Sequence, residues 1–336
     1  MKQKTPHLRH LSTLPFVVTT LGAVLLAVKL MAYSYTHSTA VLSDAMEGIV
    51  NIVTGITSIF VMTIALRPAD EDHPYGHGKI EYFSAAFEGG LIAFAALVIL
   101  GSVVRSIIFG VEVQQLDLGL GLSFAAGLAN GLMGRYLVSK GTNANSVALV
   151  ASGKHLLSDF WTSMGVVAGL GLVRLTGWSW FDPITAMIVG AHLLYVGVQL
   201  VRSSVGDLMD AEDRKWLVQL QEIFERVRRP GVIRIHGTRT VRSGSYHHID
   251  LHVVMPEFWS VEKAHDEIGG FERLVVEAYG IPAELQAHVD PCRKRYCAGC
   301  DLEPCPIRAS SFVTREPLSI SEMVSPIETD PEFSRS

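Results

Sequence analysis

The sequence predicts a bundle of six membrane-spanning helices followed by a soluble α+β domain with the order αββαβ. Three observations predict it: an apolar excess, an uneven division of charge along the chain, and strand-like alternation after Val232. Of 336 residues, 49% are hydrophobic and 18% charged, whereas a soluble domain carries about 25% charge. That composition excludes a disordered chain and argues against a plain soluble enzyme. Charges are sparse between Leu11 and Val205 and dense from Asp207 onward, so the average covers two bodies. A net charge of -5 gives no reason to expect nucleic acid as a partner. All four cysteines lie within residues 292–305, which argues against a disulfide scaffold.

A spanning helix needs about 20 mostly apolar residues. Segments 13–35, 40–66, 81–108, 117–139, 145–174 and 182–204 qualify. The first is too long for a cleaved signal peptide, carries Lys29 inside and lacks a clean cleavage site, so it reads as a retained helix. Residues 1–12 then form an N-terminal segment, 13–208 the membrane domain and 209–291 the soluble domain. Lys2, Lys4 and Arg9 precede the first span, Arg67 and Lys79 follow the second, Arg135 and Lys140 lie near the end of the fourth, and Arg202 closes the sixth. The positive-inside rule places these, both termini and the soluble domain in the cytoplasm. The expected location is the cell (inner) membrane.

Ionisable residues inside a span are costly and need a reason. The second span carries Glu47 and Asn51, four apart on one helical face, with Asp44 one turn outward on that face. The fifth repeats the spacing with His155 and Asp159. Any one of these alone suits an interhelical hydrogen bond. Two such pairs together instead suggest a four-ligand shell, the coordination number of a zinc-like ion.

These residues sit among further landmarks: Ser43-Asp44-Ala45, Arg67-Pro68-Ala69-Asp70, His73-Pro74-Tyr75-Gly76-His77-Gly78-Lys79, Asp182-Pro183, Leu208-Met209-Asp210 and His288-Val289-Asp290-Pro291. In order and spacing the chain resembles the cation diffusion facilitator family of divalent-metal transporters over about residues 12–292. The resemblance implies a ferredoxin-like cytoplasmic domain, a homodimer and export of a divalent metal in exchange for protons. One departure matters. The family's second-span pair is Asp or His followed by Asp, but here it is Glu47 and Asn51. Asn51 would offer a neutral carbonyl oxygen, leaving the shell with about two negative charges against a divalent ion. Zn²⁺ is the expected substrate, with Fe²⁺, Mn²⁺ and Co²⁺ as alternatives that oxygen-rich ligands also suit. His155 is the natural proton exchanger. Asp44 serves either as a transient exit ligand or as the cap of the second helix.

The resemblance also implies a loop site at Asp70, His73 and His77; solvated turn residues are the competing reading. Lys79 borders the third span and Asp210 follows the sixth, so an interdomain salt bridge between them, tying the two bodies together, is one reading. Glu88, beside Gly89-Gly90 in the third span, reads as bundle-facing. In the soluble domain, helical period covers Glu212–Arg228 and Val261–Tyr279, and strands are expected at Val232–Val241, Tyr246–Met255 and Glu284–Val289. By family position the resemblance implies that His236, His252, His265, His288 and Asp290 are metal ligands in or beside the paired domains, where an ion would stabilise the dimer and report metal level; isolated surface histidines are the competing reading.

Cys292, Cys297, Cys300 and Cys305 come next as C-x4-C-x2-C-x4-C within residues 292–308. A cytoplasmic setting disfavours disulfides. A zinc knuckle at Cys297-Ala-Gly-Cys300 with two outer thiols is one reading, a reduced cluster the other. Residues 309–336 are rich in Ser, Pro and Glu and are expected to be disordered. No H-E-x-x-H motif and no Ser/His/Asp order stands out, so an enzyme is not expected. A metal-sensing membrane scaffold with reduced transport is the competing function, motivated by Asn51 and the His- and Cys-rich soluble domain.

Overall fold

The computed structural model describes residues 14–65, 67–110, 115–143, 147–244 and 246–326. The expected N-terminal segment 1–12 and residues 327–336 of the expected tail lie outside them. Long helices come first: α1 (Leu14–Thr36), α2 (Thr39–Ala65), α3 (Ile80–Phe109), α4 (Leu116–Asn143), α5 (Val147–Thr176) and α6 (Phe181–Leu208). Five, α2 to α6, are apolar and long enough to cross a bilayer; α1 shows a shorter apolar stretch, Thr20–Thr36, among its described side chains. The chain divides into two compact units, Met1–Met62 with Phe83–Val205 and Thr63–Tyr82 with Gly206–Ser336. The connection between α2 and α3 thus belongs with the soluble unit.

In the helical unit, large side chains such as Phe94, Ile108, Leu132, Ile188 and Tyr195 are exposed. Its core holds Ala32, Ala40, Ala96 and Ala186 with Val41 and Ile99. Small interior and large exterior is the pattern for helices solvated by lipid, where close packing rather than water drives association. Gly134 on α4 and Gly153 on α5 approach so closely that a Cβ on either would lie 2.8 Å from the other's carbonyl oxygen. Gly89 on α3 and Gly197 on α6 cross in the same way, at 2.8 and 2.7 Å.

The start of α2 is fixed from α6. Asp182 is fully buried in the first turn of α6. Its Oδ2 accepts from the Thr39 amide at 2.9 Å and the Thr39 hydroxyl at 2.7 Å, and its Oδ1 accepts from the Ala40 amide at 3.2 Å and from the Ser38 hydroxyl. A carboxylate there satisfies orphan amides and complements the positive end of the helix. Asp182, not Asp44, therefore caps α2; of the two readings of Asp44, capping does not hold, because Asp44 sits beyond the first turn.

The soluble unit runs α7 (Arg214–Val227), β1 (Arg234–Ser243), β2 (Tyr246–Met255), α8 (Val261–Tyr279) and β3 (Ala283–Pro291), then a 3-10 turn (Lys294–Gly299) and the short helix α9 (Ile320–Met323). The αββαβ order agrees with the sequence reading. The sheet order is β1-β2-β3, with β1 antiparallel and β3 parallel to β2. Asp213 and Ser260 cap α7 and α8 by accepting from Lys215 and Lys263 amides at 3.0 and 3.2 Å. Gly280 ends α8 at φ 71, a left-handed cap that suits glycine. Phe224, Ile235, Ile249, Leu251 and Val275 form the core. His247 packs into it with Nδ1 2.8 Å from the Tyr279 hydroxyl. Burial, reinforced by Arg242 and His248, pushes its imidazole below the ordinary value, and burial pushes Tyr279 up to about 12. The pair therefore holds a protonated phenol against a neutral ring.

Residues 309–326 depart from the expectation of disorder. Leu318 and Met323 are 1% and 0% exposed and join the core beside α7 and β1. Two isolated apolar anchors tie the segment to the core, and they produce no period.

Charge-assisted hydrogen bonds are worth about 1.5–3 kcal/mol each. Asp182→Ala is expected to lower the unfolding temperature of the detergent-solubilised protein, and Asp182→Asn to lower it less. Equal stability of Asp182→Ala and the parent in a thermal-shift assay would refute the anchoring role.

Candidate metal sites

The intramembrane groups converge from α1, α2 and α5. Lys29 on α1 donates to Asp44 Oδ1 at 2.7 Å, and both side chains are almost fully buried. Ser163 on α5 donates to the same oxygen at 2.7 Å. One turn along α2, Glu47 Oε2 accepts from the Thr162 hydroxyl at 2.9 Å. Another turn on, Asn51 Nδ2 donates to Asp159 Oδ2 at 2.8 Å. A carboxylate only accepts, so the amide nitrogen must face it. Asp44 Oδ2 and Asp159 Oδ1 are buried and have no hydrogen-bond partner among the described residues.

The structure brings Glu47, Asn51 and Asp159 into one α2–α5 interface. Glu47, His155 and Asp159 do not close to ligand spacing, which among the described residues is reached only by two clusters, one around Asp70 and one around Asp290. His155 lies one turn before Asp159 and is exposed, within electrostatic reach of Asp159 and of the half-buried Glu88 on α3. The residues that sequence reasoning missed here are Lys29, Thr162 and Ser163. Lys29 carried a usable signal, since an ionisable group inside a span needs a partner.

The first closed cluster is Asp70, His73 and His77 in the connection after α2. Asp70 Oδ1 accepts from the His73 amide at 2.7 Å and lies 3.1 Å from His73 Nδ1; Oδ2 lies 3.3 Å from His77 Nε2. Desolvation opposes the shift, but hydrogen bonds from the His73 amide and ring, with the nearby His77 and His73 rings, together hold the Asp70 carboxyl below its ordinary value. Gly78 lies against the β1–β2 turn so tightly that a Cβ would meet the Ser243 carbonyl at 2.1 Å. The Tyr75 ring stacks edge-on with His248 at 5.0 Å. Lys79 Nζ pairs with Asp210 Oδ1 at 2.8 Å, but both residues belong to the soluble unit, so the pair is a contact within that unit and not the interdomain bridge that the sequence reading considered.

The second cluster arises from strand register. His236, His252 and His288 stand opposite one another across β1, β2 and β3. A register shift after His236 coincides with Gly237 at φ +58, where the His252 ring passes 3.0 Å from the position a Cβ would take. Asp290 Oδ2 lies 3.0 Å from His236 Nε2 and 2.9 Å from His252 Nδ1, and Oδ1 lies 3.5 Å from His288 Nε2. His265 is exposed on α8 and joins no cluster among the described residues. The four thiols line one small pocket but stand wider apart than ligand spacing. Burial pushes the Cys292 and Cys300 thiols up.

Removing one member of a buried ion pair costs about 3–5 kcal/mol, while removing both is far less damaging. Lys29→Met should therefore destabilise the solubilised protein strongly, and adding Asp44→Asn should restore part of the loss. Additive losses in a double-mutant cycle would show that the two side chains do not act as a pair.

Residues 16–209 match the family profile described as Cation efflux transmembrane domain, and residues 216–292 match that described as Cation efflux protein, cytoplasmic domain. An uncharacterized transporter of Synechocystis sp. is 38% identical over 282 residues, covering 82% of this chain and 90% of the relative. The cation-efflux pump FieF of Yersinia pestis is 28% identical over 287 residues, with the same coverage, and that of Yersinia pseudotuberculosis matches equally. With family profiles matching most of its length, the chain belongs to the cation efflux, or cation diffusion facilitator, family of membrane transporters.

Proposed function

We propose that the protein is a homodimeric, proton-coupled antiporter that exports a divalent metal ion, Zn²⁺ first, from the cytoplasm across the inner membrane. The observation that carries this reading is the buried oxygen Asp159 Oδ1. It has no hydrogen-bond partner among the described residues and sits on the α5 face that meets Glu47 and Asn51 of α2. A buried polar atom without a partner is rare enough to need a reason, and an exchangeable cation supplies one.

In this reading Glu47 and Asp159 are the anionic ligands. Thr162 orients Glu47, and Asn51 orients Asp159 by its amide, or turns to offer its carbonyl when the ion arrives. His155 swings in from the adjacent turn of α5 to complete the shell. Imidazole and carboxylate bind metal only when deprotonated, so protons arriving from the opposite side displace the ion. Lys29 already engages Asp44, which makes Asp44 a partner of the lysine before it is an exit ligand. The Asp70, His73 and His77 cluster would gather ions at the entrance. His236, His252 and Asp290, with His288 next to them, would bind a regulatory ion in the soluble domain. Fe²⁺, Mn²⁺ and Co²⁺ remain alternative substrates on this ligand set.

Zinc flux into proteoliposomes under an imposed pH gradient tests the site. Asp159→Ala should reduce flux to background, a loss of at least about tenfold for one missing charged ligand; near-normal flux would sink the assignment. Asn51→Asp puts a third uncompensated carboxylate beside Asp159 and should reorder the relative rates of Zn²⁺, Fe²⁺, Mn²⁺ and Co²⁺. An unaltered series would remove Asn51 from the ion's surroundings.

A further inference from the structure

The match to the family ends at residue 292, where the cysteine segment begins. Beyond it the chain continues as an irregular segment packed on the sheet. β3 hands the chain to Cys292, whose amide donates to the Met255 carbonyl at 2.8 Å. The 3-10 turn then carries Cys297 toward Cys300, which is buried with Ile233 and Val254 against the sheet. Cys305 returns to the same pocket, so thiols separated by up to thirteen positions share one wall. None forms a disulfide.

The backbone around the pocket is held from outside. Arg308 donates to the carbonyls of Cys297 and Cys300, both at 3.1 Å, and of Leu302 at 2.7 Å. Its guanidinium thereby brings positive charge beside the thiols. The Ala309 amide lies 3.4 Å from Cys297 Sγ, the N–H···S contact that a thiolate knuckle uses. Beyond it the chain becomes a strap. Val313 donates to Ala298 at 2.8 Å, Arg315 pairs with Asp301, and the Glu316 carbonyl accepts from Arg228 and Arg234 at 3.1 and 3.2 Å. Leu318 and Met323 then enter the core, and Ser325 accepts from the Gly237 amide at 2.8 Å. A C-x2-C pair flanked by two further cysteines has the composition of a closed structural zinc site. An irregular segment with so little apolar core of its own needs such a fastening.

We infer that Cys292, Cys297, Cys300 and Cys305 draw inward to bind one zinc ion as a tetrathiolate, and that this ion fastens the 306–326 strap over α7 and β1. Two negative charges would remain on the centre, and Arg308 is placed to offset them. The centre is structural, separate from the transported ion, and does not depend on what the membrane site carries.

Full-length protein, expressed with zinc and purified in detergent under reducing conditions, is dialysed against a carboxylate chelator and then titrated with an organomercurial. The mercurial attacks thiolates and leaves His and carboxylate sites untouched. The expected result is release of one zinc per chain as four thiols are consumed, followed by new proteolytic cleavage within 306–326. Once excess dithiol has stripped the mercurial and been removed without air, cobalt added to the emptied protein should give a thiolate-to-metal charge-transfer band that Cys297→Ser/Cys300→Ser lacks. Thiols that react with no zinc released, or iron with sulfide in place of zinc, would overturn the zinc assignment. Equal protease resistance before and after zinc removal would overturn the fastening role.

Discussion

A carboxylate inside an apolar bundle must find its partners within the bundle, and the placement of α2 rests on two such partnerships. Asp182 reaches from α6 to the first amides of α2, and Lys29 reaches from α1 to Asp44 one turn further on. Isolating either charge in low dielectric would cost several kcal/mol, so neither contact can be given up without moving the helix. With α2 held at that end, Glu47 and Asn51 are carried to the face where α5 presents Thr162 and Asp159. The geometry of the candidate transport site is thus inherited from contacts that need not touch the ion themselves.

The soluble unit solves a different problem, bringing imidazoles together without a helix to space them. Register does this: His236, His252 and His288 come from three strands and fall opposite one another, and Asp290, two residues beyond His288 and so on the same face of the strand, is hydrogen-bonded to His236 and His252, with His288 standing 3.5 Å away, outside the ligand-spaced group. Gly237 is needed because the His252 ring occupies the space a side chain would take. In the connection after α2, Asp70 plays the same role for His73 and His77.

The helices were legible because spanning segments are long and their hydropathy needs no tertiary knowledge. The αββαβ order was legible because alternation and punctuation are local. The pairing of Glu47 with Thr162, or of Lys29 with Asp44, was not, since sequence shows which residues share a face of one helix but not which face a neighbouring helix presents. Lys29 was visible as a charge inside a span and still lacked an address. Asp182 stood among the family landmarks, yet nothing local to it showed that it reaches the start of α2. The strap after Cys305 looks disordered in sequence because burial there rests on Leu318, Met323 and several arginine contacts, and scattered anchors leave no period. His155 shows the limit from the other side: its i, i+4 relation to Asp159 is real, yet its side chain stands exposed in this conformation.

The departure from the family's usual second-span pair also looks different once Lys29 is placed. Asp44, Glu47 and Asp159 are three carboxyl groups within three turns of the α2–α5 interface, and Lys29 compensates the first of them. Under the proposed function, Glu47 and Asp159 then carry the two negative charges that a divalent ion neutralises. An Asp at position 51 would leave one charge over, in a medium that penalises it; an Asn keeps the hydrogen bond to Asp159 and adds no charge. The same count lets two protons replace the ion with no change in net charge. On this view Asn51 is not a weakened ligand but a group fitted to a site whose lysine is already part of the balance.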